Sequence, residues 1–96
     1  SNLEDLTMTE ERAKQLIKAL AQILTDLGLG DVFLTTTKAH GYASGGIWTG
    51  LGESGICNYW EDPAHDLIPE QIKNWLQKED LFLEWQNPGV VCIWSI

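Results

Sequence analysis

Basic residues are scarce in this chain. Six lysine and arginine residues stand against fourteen acidic ones, which gives a formal charge of −8 at pH 7. Binding to nucleic-acid phosphates needs clustered lysine and arginine, whereas Arg12 and the lysines are scattered along the chain. We therefore expect neither nucleic acid nor a membrane surface as a partner. The charge favours a basic protein as partner, although it also serves solubility alone.

Long apolar runs and cysteines are also few. No run of apolar residues approaches the roughly 20 needed to cross a bilayer, so we expect no membrane span. Cys57 and Cys92 are too few for a disulfide scaffold and are typical of buried thiols, which favours the cytoplasm. Residues 1–96 suffice for one domain, and we expect residues 1–7 to be disordered or derived from a tag.

Two segments have the apolar spacing of an amphipathic helix. In residues 9–27 the apolar positions recur every three or four residues, which indicates one buried face. Thr9 is suited to cap the start of this helix, and Gly28 or Gly30 to end it. A second helix is predicted over residues 69–78, with Pro69 as its first residue.

Short segments rich in β-branched and aromatic residues predict about five strands. The first three have short links, which favours an antiparallel meander. The last two form a hairpin, in which Pro88 and Gly89 suit a type II turn. The final segment is apolar on both faces, so we place it centrally in the sheet or in a subunit interface. The predicted strands are residues 32–37, 47–49, 56–60, 81–85 and 90–94.

The predicted fold class is α+β, with an antiparallel sheet of about five strands and two helices on one face. Its element order is α-β-β-β-α-β-β. Together with the acidity, this order resembles that of the small acidic chaperones of bacterial type III secretion, which have one further helix. The resemblance implies a protein that covers a partner, and it comes from the architecture rather than from any motif.

A glycine-rich segment matches a phosphate-binding pattern. Residues 50–55 read G-x-G-x-x-G, which in dinucleotide sites lets the backbone approach a pyrophosphate at a helix N-terminus. Here a strand-like segment follows, and no helix is predicted to begin. The context therefore favours a tight hairpin turn.

The strongest candidates for metal binding or catalysis lie in one loop. Glu61, Asp62, His65 and Asp66 offer metal ligands, but zinc sites usually contain more His or Cys, and the calcium-loop pattern is missing. Cys57 paired with His65 would make a nucleophile and base, yet Cys57 is predicted mid-strand, where a thiol is usually inert. We therefore expect no catalytic residue, metal or cofactor, and we favour a binding protein over an enzyme.

Tryptophan is abundant, with five residues in 96. Indole rings pack well in a core, but they also dominate protein interfaces. If the helices cover one side of the sheet, aromatic residues remain exposed on the other, and an aromatic patch ringed by acids is typical of a partner surface. Alternation places Trp85 on the side opposite to Phe82 and Glu84. The predicted partner-binding residues are Trp48, Trp60, Trp85, Trp94, Glu53, Glu61, Asp62 and Glu84.

The favoured function is therefore occlusion of another protein by a small acidic module. Inhibitors, immunity proteins, phage-type antagonists and secretion chaperones act in this way. The open sheet face or an edge strand would pair with a different protein or with a second copy, and pairing with a second copy would give a homodimer.

The alternative is a small-molecule-binding protein or minor enzyme. In that case residues 41–55, which include six glycines, would form a lid beside Trp48, Tyr59 and Trp60. The two hypotheses predict different surfaces. A closed concave pocket that contains His40, Cys57 or His65 favours the alternative, and a flat or convex patch of aromatic and acidic residues favours occlusion.

Overall fold

A computed structural model describes residues 8–57 and 68–96 of the chain. In these residues two α helices pack on one face of a four-stranded antiparallel sheet. Neither helix has both the length and the hydropathy that a bilayer span requires. The elements are α1 (Glu10–Asp26), β1 (Leu34–Thr36), β2 (Gly46–Thr49), α2 (Glu70–Lys78), β3 (Leu81–Asn87) and β4 (Val90–Ser95).

Local signals set both ends of α1, as predicted. The Thr9 Oγ1 accepts a hydrogen bond of 3.1 Å from the Arg12 N–H, which satisfies one of the free donors of the first turn. At the other end Gly28 takes a φ of +78°, and the Leu29 N–H donates to the Leu24 carbonyl over 2.7 Å. This is a Schellman ending, in which glycine adopts the left-handed conformation at little cost. The buried face of α1 consists of Ala13, Leu16, Leu20 and Leu24.

Helix α2 is short and leads directly into the sheet. It begins at Glu70, so Pro69 precedes the helix instead of being its first residue. Pro69 has a ψ of 147°, which is extended rather than helical. After α2, Asp80 adopts a φ of 56° and turns the chain into β3. Ile72, Trp75 and Leu76 are the buried residues of α2.

The sheet has the strand order β1-β2-β4-β3, which confirms the central position predicted for the last strand. All three neighbouring pairs are antiparallel. Ile93 of β4 lies between Ile47 and Leu83, and this row faces the helices. Since side chains alternate along a strand, the adjacent row faces the other way.

The prediction of five strands was wrong in the part of the chain that the structure describes. Residues 50–55, predicted as a hairpin turn, contain a 3-10 helix over Leu51–Glu53. Ile56 and Cys57, at the start of the predicted third strand, form no strand and pack against the core instead. These two half-buried side chains contact the core without joining the sheet, and β2 pairs with β4 instead. The predictions for residues 1–7, for Trp60 and for the acidic loop lie outside the described residues.

The turn between β3 and β4 also differs from the prediction. A type II turn requires a positive φ at Gly89, and Gly89 does not have one. Instead the Asn87 Oδ1 accepts a hydrogen bond of 3.0 Å from the Gly89 N–H, and the register shifts between Trp85 and Asn87. The asparagine side chain thus sets the turn geometry, and a β-bulge accompanies it.

Candidate functional site

The face of the sheet opposite the helices has a cluster of aromatic side chains. Trp48 lies between Ile47 and Thr49, which are fully buried on the helix side, so the indole of Trp48 points the other way. Trp94 follows the buried Ile93 in the same manner, and Phe82 is its cross-strand neighbour. We use the name aromatic face for the rings of Phe33, His40, Tyr42, Trp48, Phe82 and Trp94.

Ring contacts join most of this face into one cluster. The imidazole of His40 stacks on Trp48 with 4.0 Å between ring centroids. Tyr42 meets Trp48 edge-on at 5.7 Å and lies 6.4 Å from Trp94. Phe33 approaches the other side of His40 at 6.2 Å. The three longer spacings fall within the usual range of favourable aromatic pairs, and the His40–Trp48 stack is closer still, so the rings support one another.

The turn after β1 places His40 and Tyr42 on the sheet. Thr37 anchors this turn, because its Oγ1 donates to the Gly46 carbonyl at 3.2 Å and accepts from the Gly46 N–H at 3.1 Å. The Tyr42 N–H donates to the Thr37 carbonyl at 2.9 Å and closes the turn. Thr37 is fully buried, so a polar side chain in the interior fixes the position of both rings.

Gly46 makes room for the indole of Trp94. A Cβ at this position would lie 2.6 Å from Cε3 of Trp94 and 2.9 Å from the carbonyl oxygen of Ile93. The missing side chain therefore lets the Trp94 ring approach the backbone of β2. Trp94 is half-buried in this arrangement.

The aromatic face is where large apolar side chains are exposed. Among the described residues four such side chains are strongly exposed, and three of them, Phe33 at 55%, Tyr42 at 43% and Phe82 at 40%, belong to this face. The fourth, Ile96, ends the chain beside Phe82, across a groove described below. Apolar side chains gathered on one surface indicate an interaction site more strongly than scattered ones.

A carboxylate lies among these rings. Glu84 is in the same cross-strand row as Cys92 and Trp48. Burial raises the pKa of the Cys92 thiol to about 11, and the negative charge of Glu84, its cross-strand partner, contributes to the increase. In the described part of the chain the single ion pair joins Arg12 to Glu79, so Glu84 has no cationic partner there.

The structure brings together some of the predicted partner-binding residues. Trp48, Trp94 and Glu84 share the aromatic face. Trp85 lies on the opposite side, where it packs against the core, in agreement with the predicted alternation. Glu53 is exposed in the 3-10 helix beside the β3–β4 turn. Trp60, Glu61 and Asp62 lie outside the described residues.

Sequence reasoning missed the other four rings of this face. Alternation places Phe82 on the correct side of the sheet. It was not among the predicted partner-binding residues, because these were chosen from the tryptophan and acidic residues. His40 and Tyr42 lie in a glycine-rich turn where no periodicity operates. Phe33 lies in the predicted strand 32–37 but precedes the observed β1, and it was not among the predicted partner-binding residues. Alternation counted from Leu34 is the signal that identifies Phe33.

Two cavities of the described residues are open to solvent and do not resemble an enclosed active site. A small one of about 240 Å³ lies beside Phe33 and Glu53, and a larger groove of about 470 Å³ lies between α2 and β3. Neither is lined by His40 or Cys57. Burial raises the pKa of Cys57 to about 11, which keeps the thiol protonated at neutral pH and makes it a poor nucleophile. In residues 8–57 and 68–96 no three His, Cys, Asp or Glu side chains converge as metal ligands.

Comparison of the chain with protein-family models, with curated proteins and with solved structures gave no match. The chemistry of the aromatic face itself is therefore the basis for a functional assignment. This face combines apolar rings, the polar edges of His40 and Tyr42, and the carboxylate of Glu84. Aromatic residues of this kind are enriched where one protein surface contacts another.

Proposed function

We propose that this protein binds another protein through the aromatic face and occludes it. The supporting observation is the cluster of rings on the side of the sheet that neither helix covers. Tyrosine and tryptophan side chains contribute much of the binding energy at protein interfaces, because they bury a large area with few rotatable bonds. Contacts between the rings hold them in place before a partner arrives, which lowers the entropic cost of association.

The shape of this surface favours a protein partner over a small molecule. A bound metabolite requires a concave pocket that buries most of its surface. Residues 41–55, the lid of the alternative hypothesis, include β2, which pairs with strands on both sides. A segment held in the middle of a sheet is poorly suited to open and close. Occlusion is therefore the better-supported function.

Charge specifies the kind of partner. The chain carries a net charge of −8, and Glu84 adds to the aromatic face a carboxylate that forms no ion pair with the described residues. A basic surface would be attracted over a distance, and its arginine or lysine side chains would stack on the indoles while they pair with Glu84. The partner is thus a basic protein, and association slows as salt concentration rises.

Inhibitors, immunity proteins, phage-type antagonists and secretion chaperones all act by covering a partner surface, and the protein is proposed to work in the same way in the cytoplasm. It carries out no chemical step in this scheme. Contact between the aromatic faces of two copies, which would give a homodimer, is the competing arrangement. Light scattering on the isolated chain distinguishes the two, since the proposal requires a monomer in the absence of partner.

Affinity capture from the source cells tests the proposal. The full chain is expected to retain a basic protein, and Tyr42→Ala or Glu84→Lys to lose it. Matched controls come from α1, where Gln22→Ala removes an exposed side chain and Glu11→Lys makes the same change of charge. Both controls should retain the partner. Failure to capture a protein, or equal loss with face and control variants, would refute the proposal.

A further inference from the structure

Strand β3 forms one edge of the sheet, beside α2. The Ile96 N–H donates to the Asp80 carbonyl over 2.9 Å, which makes this a hydrogen-bonded pair of the antiparallel ladder. Hydrogen-bonded pairs alternate with non-hydrogen-bonded pairs along an antiparallel ladder. Phe82, two residues after Asp80, therefore directs its N–H and C=O toward β4. Leu81 and Leu83 therefore direct theirs away from the sheet, where the described strands provide no partner.

An apolar groove of about 470 Å³ runs between this edge and α2. Leu81 and Leu83 are almost fully buried, as is Leu76 of the helix, and they make the apolar part of the groove. Phe82 and Ile96 are exposed beside it. The groove therefore offers an apolar space directly beside backbone groups that no described strand pairs with. Its lining consists of Lys73, Leu76, Gln77, Leu81, Phe82, Leu83 and Ile96.

We propose that an extended segment of a different protein pairs with β3 as an additional strand. An extended main chain presents donors and acceptors at every second residue, which is the spacing of the outward groups of Leu81 and Leu83. Its alternate side chains then enter the groove on the helix side and lie next to Phe82 on the other side. This binding mode goes beyond the aromatic face, since backbone pairing at β3 carries it.

Charge specifies one side chain of this segment. Lys73 is the charged residue of the groove lining, it is half-buried, and the described residues provide no ion pair for it. A carboxylate on the incoming segment would form an ion pair with the Lys73 ammonium group. The segment therefore has an apolar residue directed into the groove and an acidic residue within reach of Lys73.

A second copy of the chain fits this edge less well. Each copy carries a net charge of −8, so two copies would repel each other. A twofold pairing centred on Glu84 would place the two Glu84 carboxylates opposite each other, and one centred on Phe82 would place Glu84 opposite Asp80. A pairing centred on Leu83 avoids these contacts but keeps the overall repulsion. The different protein is therefore the favoured occupant.

Short random peptides displayed on phage and selected against the full chain provide the probe. Selected peptides are expected to alternate apolar residues and to include Asp or Glu. Added to the ¹⁵N-labelled chain, a synthetic selected peptide should shift the amide resonances of Leu81 and Leu83. N-methylation of its alternate amides, which removes pairing donors, should abolish binding. A failed selection, or shifts confined to Tyr42 and Trp48, would overturn the proposal.

Variants separate the groove from long-range charge and from the aromatic face. Lys73→Glu should weaken peptide binding by about tenfold or more, as expected for reversal of a partly buried charge. Lys14→Glu on the exposed side of α1 changes the net charge equally and should leave the affinity unchanged. Tyr42→Ala should also leave the affinity for the peptide unchanged. A failure of the aromatic-face proposal can therefore be told apart from a failure of the β3 proposal. Equal weakening by Lys73→Glu and Lys14→Glu, or a dimer of the isolated chain with protected β3 amides, would contradict the assignment.

Discussion

The imidazole of His40 lies flat on the indole of Trp48, with ring centroids 4.0 Å apart and planes inclined by 19°. His40 comes from the turn after β1, whereas Trp48 belongs to β2. The stack therefore fastens an exposed turn to the middle of the sheet. It also holds Trp48 in a defined position, so that a partner meets an ordered surface.

Removal of the imidazole should loosen this turn. His40→Ala is expected to lower the free energy of unfolding by about 0.5–1.5 kcal/mol, the usual contribution of an aromatic pair. Urea denaturation followed by circular dichroism measures the loss. Lys38→Ala, in the same turn but without a ring contact, should have almost no effect. Equal losses in the two variants would mean that the stack adds no stability.

The close approach of Trp94 to Gly46 leads to a second prediction. Gly46→Ala places a methyl group 2.6 Å from the indole and should destabilise the fold by about 1–3 kcal/mol while it displaces Trp94. Gly50→Ala is the matched control, since its Cβ would meet the Phe33 nitrogen at an ordinary 3.4 Å. Denaturation midpoints and the tryptophan emission of both variants provide the comparison. An unchanged emission in Gly46→Ala would contradict the packing described.

Local signals explain which elements of the fold were predictable. Helix α1 has a capping threonine, an apolar stripe and a terminal glycine, which all act within a few residues. Ile56 and Cys57 have strand-like character, but they pack against the core and lie outside the sheet. At the last turn the Asn87 side chain prevails over the preference of Pro88 and Gly89 for a type II turn. Neither the core contact of Ile56 and Cys57 nor the hydrogen bond of Asn87 can be read from the periodicity of the sequence.

The Cys92 thiol makes stability depend on pH in the alkaline range. Burial, aided by Glu84, raises its pKa from 9.0 to about 11 in the folded chain. Between these values the unfolded chain loses the proton and the folded chain keeps it, so the free energy of unfolding should fall as pH rises from 9 to 11. Cys92→Ala should show a shallower fall over that range. Parallel curves for wild type and variant would exclude this contribution.

Asp80 is a position where a substitution should stabilise the fold. Its φ of 56° is left-handed, a conformation that costs energy for residues with a Cβ. Asp80→Gly should raise the free energy of unfolding by about 0.5–1 kcal/mol. Asp80→Asn removes the same charge but keeps the Cβ, so it should change little. If both variants gained equally, charge rather than backbone conformation would be the cause.

The candidate site was predictable in part. Residue type and strand alternation were enough to select Trp48, Trp94 and Glu84. The positions of His40 and Tyr42 depend on the buried hydroxyl of Thr37, which bonds to a glycine nine residues further along the chain. No pattern in the sequence reveals that contact. The order of the strands, which sets Cys92 between Glu84 and Trp48, likewise follows from the fold as a whole.

Photo-cross-linking in the source cells tests most directly whether the aromatic face is a binding surface. A benzophenone amino acid is placed at Tyr42, on the face, or at Gln22, on the exposed side of α1. The proposed function predicts one discrete cross-linked product with a basic protein from position 42 and none from position 22. The same products from both positions, or none from position 42, would contradict it.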